Sequence, residues 1–137
     1  MSEPSNNGAR MKWYEEKPGR LGKEVSLIRK IYPYARISIV KGYLVVKLRV
    51  VARKTRYLLR VVYPMDFPYE EPKAYIDEPQ IEYAKHRWKD GSLCIEGDAE
   101  PPALSGKIVI DWAINWIKAY ENWLDTDYWP ERMRGQR

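Results

Sequence analysis

The tightest constraint on this chain lies in residues 35–64, where three β-rich runs follow one another with almost no chain between them. "ARISIV" (35–40) is separated from "YLVVKLRVVA" (43–52) by Lys41-Gly42, and that run from "TRYLLRVVYP" (55–64) by Arg53-Lys54. Two-residue connections join antiparallel neighbours, because a parallel crossover needs a dozen residues or more. In the middle run Leu44, Val46, Leu48 and Val50 fall on one side, and Val45, Lys47 and Arg49 on the other. One face is dry and one wet, as in an antiparallel meander covered on one side. "KAYIDE" (73–78), after the proline-rich link "YPMDFPYEEP", supplies a fourth strand.

Cover for the dry face comes from two amphipathic segments. Leu21, Val25, Leu27, Ile28 and Ile31 recur at helical spacing, and Pro33 ends the pattern. "GKIVIDWAINWIKAYENWLD" (106–125) sets Ile108, Trp112, Trp116, Ala119 and Trp123 on one stripe, widened by Ile110, Ile114, Ile117 and Leu124. An aromatic stripe of this kind reads as core, and Ser105 suits the N-cap. The fold class is therefore α+β: an N-terminal helix, a four-stranded antiparallel meander, a long irregular loop and a C-terminal helix. Residues 1–18 read as a flexible tail, 19–130 as the domain and 131–137 as a basic tail. Trp13 and Tyr14 then fall outside the core, as candidates for docking a partner.

At 137 residues the chain suits one domain. One cysteine and one histidine exclude an intramolecular disulfide, a multi-cysteine zinc site and a His-rich metal site, so no metal or cofactor is expected. No apolar run approaches the roughly 20 residues that cross a bilayer, and no signal core opens the chain, which points to a cytoplasmic protein. The net charge of +5 conceals a division: 15 Lys/Arg against 4 Asp/Glu in residues 1–65, and 6 against 15 in residues 66–131. Arg29, Lys30, Lys47, Arg49, Arg53, Lys54, Arg56 and Arg60 fit wet faces, an acidic protein partner or nucleic acid, the last with Tyr43 and Tyr57 interleaved.

Residues 79–104 form the long loop, and "HRWKDGSLCIEGDAE" (86–100) is its informative part. Asp90-Gly91 signals a turn leading into Cys94, and Glu96, Asp98 and Glu100 follow. A lone cysteine is most often an inert buried thiol. Next to a tight turn in a polar, acidic loop it reads instead as a reachable nucleophile.

"YPMDFPYEEPKAYI" followed by "HRWKDGSLC" resembles the ubiquitin-conjugating enzyme family, and the element order agrees with that fold. Trp112, Trp116, Tyr120 and Trp123, with "TDYWP" behind them, resemble the stand-alone bacterial members of ubiquitin-like operons and of CBASS-like antiphage operons that carry a cGAS-like nucleotidyltransferase. The resemblance implies that Cys94 carries a ubiquitin-like protein, or another protein's C-terminus, as a thioester and passes it to an amine, normally a lysine. It also implies an upstream activating enzyme, which meets the first helix, a lysine-bearing target and the cGAS-like nucleotidyltransferase as candidate acyl partner. His86 stands at the family's histidine and is, with Cys94, a candidate catalytic residue, although the family's position is largely architectural. The family's following Pro-Asn is Arg87-Trp88 here, and the spacing from His86 to Cys94 is eight rather than ten. Oxyanion stabilisation must therefore come from elsewhere, such as backbone N–H groups or His86 itself.

Exchange between thioesters needs no strong base, since a thiol with a pKa of about 8.5 is partly ionised near neutrality. An attacking lysine, pKa about 10.4, must lose a proton. Glu96, Asp98 and Glu100 are the candidate acceptors, with Asp90 and Asp111 behind them. Two other readings fit the sequence. One is a catalytically inactive protein-binding module of the same fold; the other is a nucleic-acid-binding α+β domain, disfavoured because no RNA-binding motif accompanies the basic half.

Overall fold

The computed structural model describes residues 11–53, 55–81, 86–94 and 105–130. Four strands, β1 (Arg36–Val40), β2 (Tyr43–Ala52), β3 (Thr55–Val62) and β4 (Lys73–Glu78), form one antiparallel sheet in the order β1-β2-β3-β4. The expected meander is thus observed, with strand ends within two residues of the sequence reading. Lys41 (φ 53°) and Gly42 (φ 87°) both occupy the left-handed region that a two-residue hairpin turn demands. Helices α1 (Trp13–Glu16), α2 (Pro18–Ile31) and α3 (Gly106–Thr126) complete the fold. No helix among the described residues is long and apolar enough to cross a membrane.

The core lies between the sheet and α3. Leu44, Val46, Leu48, Tyr57, Leu59 and Val61 are buried from the sheet, and Val109, Ile110, Trp112, Ala113, Trp116, Ile117 and Tyr120 from the helix. Ser105 caps α3 as expected, its hydroxyl accepting the Ile108 N–H at 3.3 Å. The apolar stripe differs in detail from its sequence reading. Leu124 is exposed, while Val109 and Ala113 are buried. The sheet covers an arc of the helix centred slightly off the tryptophan line. On α2, Ile28 is buried but Leu27 and Ile31 are exposed.

Trp13 and Tyr14 are not free to dock a partner: they are 4% and 9% exposed. Trp13 stacks on Tyr63 at 5.4 Å and meets Phe67 at 4.7 Å, and the Tyr14 hydroxyl donates to the Gly42 carbonyl at 2.9 Å. The ordered body therefore begins ahead of the expected boundary at residue 19, because a four-residue helix has too few turns to show periodicity in sequence. Tyr57 is likewise no surface platform. It is buried, and its hydroxyl donates to the Glu121 carboxylate at 3.0 Å. Burial first, then that carboxylate, raises its pKa far above the ordinary tyrosine value.

A buried carboxylate joins the two long helices. Glu24 of α2, 4% exposed, accepts the Tyr63 hydroxyl at 2.6 Å and the Gly106 N–H at 2.8 Å. It also faces the Arg20 guanidinium at 3.5 Å. An anion at the first residue of α3 satisfies an orphan donor and suits the positive end of the helix dipole. Gly106 is required there, since a Cβ would lie 1.9 Å from the Tyr63 hydroxyl oxygen.

Candidate active site

Residues 86–94 close into a small hairpin. Arg87 and Leu93 pair as an antiparallel bridge. The Cys94 N–H donates to the His86 carbonyl at 2.7 Å, the Trp88 N–H to the Ser92 carbonyl at 2.8 Å, and the Gly91 N–H to the Trp88 carbonyl at 2.9 Å. Asp90-Gly91 forms the tip, where Gly91 takes φ 88°. One Asp90 oxygen accepts both the Ser92 N–H at 2.9 Å and the Ser92 hydroxyl at 2.6 Å. The other takes the Lys73 ammonium at 2.9 Å. These donors, the Ser92 hydroxyl foremost, hold the Asp90 carboxyl well below the usual carboxylate range. An anion so stabilised is a poor proton acceptor. Asp90 thus shapes the turn.

The hairpin is docked on the free edge of β4. The Leu93 N–H donates to the Ala74 carbonyl at 2.8 Å, and the Leu93 side chain is buried. Extended neighbours point to opposite sides, so anchoring Leu93 inward turns Cys94 away from the core. Cys94, the chain's one cysteine, is half-buried and makes no disulfide.

His86 is held from both sides. It sits at φ 64°, a left-handed conformation that His tolerates better than most residues. Its carbonyl accepts the Trp116 Nε1–H at 2.9 Å in addition to the Cys94 N–H. Its ring stacks on Trp129 at 4.5 Å with the planes 13° apart, and Trp129 meets Trp116 nearly edge-on at 5.1 Å. Through these contacts His86 ties the thiol-bearing strand to α3. They also engage the Cys94 N–H.

Among the other acids singled out from sequence, Glu96, Asp98 and Glu100 lie outside the described residues. Asp111, on α3, accepts the Tyr32 hydroxyl and pairs with Lys107 at 2.6 Å, fastening the end of α2 to α3. The residues that sequence reasoning missed are the positioning ones: Ser92, Lys73, Trp116 through its indole N–H, and Trp129. Ser two residues after Asp is a turn pattern that was readable; the rest are distant in sequence from the hairpin. A cavity of about 660 Å³ opens beside the hairpin, bordered by Tyr43, Val62, Lys73, Tyr75, Trp88 and Leu93.

Compared with known families, residues 24–136 match the family model described as E2-CBASS: Type II CBASS E2 protein. No curated protein matches the chain.

Proposed function

The chain belongs to the Type II CBASS E2 protein family, an E2-type family of antiphage CBASS systems, and from that premise we propose that it is a thioester carrier acting through Cys94. The Cys94 thiolate attacks the carbonyl of a donor thioester; a new C–S bond forms and the donor's cysteine thiolate leaves. An amine, normally a lysine, then attacks the carbonyl. The C–N bond forms, the Cys94 thiolate is expelled, and the amine's proton passes to a base. Glu96, Asp98 and Glu100 remain the candidate acceptors for that proton, as the acids nearest to Cys94 in sequence on its C-terminal side.

The observation that carries this reading is a half-buried thiol on a rigid support. Cys94 follows a buried Leu93 that is hydrogen-bonded to β4, and its own N–H is bound to a histidine carbonyl that α3 holds in place. Such fixing restricts the thiol's approach to a carbonyl and so lowers the entropic part of the barrier. His86 is a positioning residue in this scheme. The acyl group comes from a ubiquitin-like protein or another protein's C-terminus, after activation by a separate enzyme. The cGAS-like nucleotidyltransferase of a CBASS operon is the favoured partner.

The test is intact mass spectrometry of the full chain co-expressed with its operon neighbours, with and without reductant. A thiol-labile mass increment that is lost in Cys94→Ala supports the carrier, and its size identifies the acyl partner. Conjugation by Cys94→Ala at the wild-type level sinks it and leaves the reading of a non-catalytic binding module.

A further inference from the structure

The face of the sheet turned away from α3 carries an unusual row of charge. Arg36 pairs with Lys47, Lys47 with Arg60, and Arg60 with Tyr75, so three cations stand side by side in register across β1, β2 and β3. Like charges directly opposite one another destabilise a sheet. Arg60 is relieved by Asp77 at 3.0 Å and lies over the Tyr75 ring at 4.3 Å. Arg36 and Lys47 are exposed and, among the described residues, have no acid within ion-pair distance. Arg49, one row away, reaches Glu78 at 3.5 Å. A shallow cleft of about 520 Å³ lies between Tyr34, Arg36, Lys47, Arg49 and Leu58, and Tyr34 is 92% exposed.

Beside this row the sheet ends in an open edge. The Lys41-Gly42 turn makes Val40 and Tyr43 the closing hydrogen-bonded pair, and alternation then directs the N–H and C=O groups of Ile37 and Ile39 away from β2. Among the described residues no backbone group pairs with them. Ile39 is 52% exposed, on the opposite face from the cations. Open edges of this kind accept an added strand, and proteins usually blunt or cover them.

From the register and the charge together, we infer that β1 is a docking edge for an extended acidic segment of a partner protein. The segment adds as a fifth strand. Its carboxylates fall on the outer face, in line with Arg36 and Lys47, and its intervening apolar side chains fall against Ile39. It is therefore an alternating acidic and β-branched sequence. A single-stranded nucleic acid fits less well. It could use the cations and the exposed Tyr34 and Tyr43, but Tyr57 is buried, the Tyr75 ring is covered by Arg60, and a phosphodiester chain would leave the open backbone edge of β1 without a strand partner.

The test uses the full chain and a fluorescein-labelled seven-residue peptide of alternating Glu and Val, read by anisotropy and by amide hydrogen exchange. Saturable binding is expected, with affinity about tenfold lower for Arg36→Glu/Lys47→Glu. The peptide should slow exchange at Ile37 and Ile39, a peptide N-methylated at its central residues should bind weakly, and Cys94→Ala should bind as wild type does. Equal binding of an alternating Lys and Val peptide, no loss in the double variant, unchanged exchange at Ile37 and Ile39, or tighter binding of oligo(dT) each overturns the inference. Because the assay needs no thiol chemistry, it stands or falls apart from the carrier reading.

Discussion

The two edges of this sheet have been treated in opposite ways. At β4 the 86–94 hairpin covers part of the edge, bonded at Ala74, with its turn pinned by Asp90 and its base held by His86, Trp116 and Trp129. At β1 the edge is open among the described residues, and a row of cations runs up to it. The closed edge sacrifices adaptability for a fixed cysteine. The open edge tolerates repulsion that a purely structural sheet would have removed. A held thiol suits the proposed transfer chemistry, and an unsatisfied edge suits the proposed docking of a partner.

If that contrast is right, replacements at the closed edge destroy function or stability and replacements at the open edge do not. The largest effect is expected for Cys94→Ala, which should abolish the reductant-sensitive adduct while leaving the far-ultraviolet circular dichroism spectrum and the melting temperature near wild type.

Gly106→Ala tests the foundation beneath the closed edge. The new methyl would collide with the Tyr63 hydroxyl and break the Glu24 bridge to α3. A loss of about 3 kcal/mol, or about 10 °C in melting temperature, is expected by thermal denaturation. An unchanged melting temperature would mean the Glu24 junction does not hold the helices as described.

Trp129→Ala removes the ring stacked on His86 but leaves the hairpin's backbone bonds in place. Adduct formation should slow by about tenfold, with a stability loss of about 1–3 kcal/mol, the ring pairs and the half-buried indole's area together. A rate unaffected by this change would show that fixing His86 does not serve the thiol.

Lys47→Glu inverts the middle of the cationic row, placing an acid between Arg36 and Arg60. Here the protein should become more stable, by about 0.2–1 kcal/mol or a few degrees in melting temperature. Destabilisation would erase the distinction between the two edges.

The smallest effect concerns acid. The Asp90 carboxyl is held below its ordinary range by Ser92 and Lys73, so its folded pKa lies under its unfolded one. The contribution is therefore complete above the unfolded value of about 3.9 and is lost as pH falls through the lower folded value. Protection of the Ser92 amide, followed by hydrogen exchange, should persist from neutrality to about pH 4. In Asp90→Asn that protection should be weaker across the same range.

Much of the fold was legible because its signals are local. Alternation in residues 43–52 marks a strand wherever it lies, and a two-residue link after Val40 permits one kind of neighbour. Ser105 and the helical spacing behind it mark the start of α3 in the same way. The candidate site was legible as a turn followed by a thiol, and its outline agrees with the hairpin found. What the sequence concealed was distant pairing. Trp13 looked like part of a tail because nothing near it in sequence shows that Tyr63 and Phe67 will enclose it. The Lys73 ammonium that meets Asp90 could not be foreseen, because it lies 17 positions away.

By itself, then, the sequence determined the elements, their order, the hand-to-hand pairing of the strands and the position of the one thiol. Each of these follows from periodicity, turn length or residue type over a few neighbouring positions. The tertiary structure decided which edge of the sheet the hairpin meets, that a buried carboxylate of α2 caps α3, that His86 is held through its carbonyl and a stacked ring, and that three cations share one row. Those outcomes depend on which faces meet and in what register, and register is settled by the packing of the whole core rather than by any local stretch of chain.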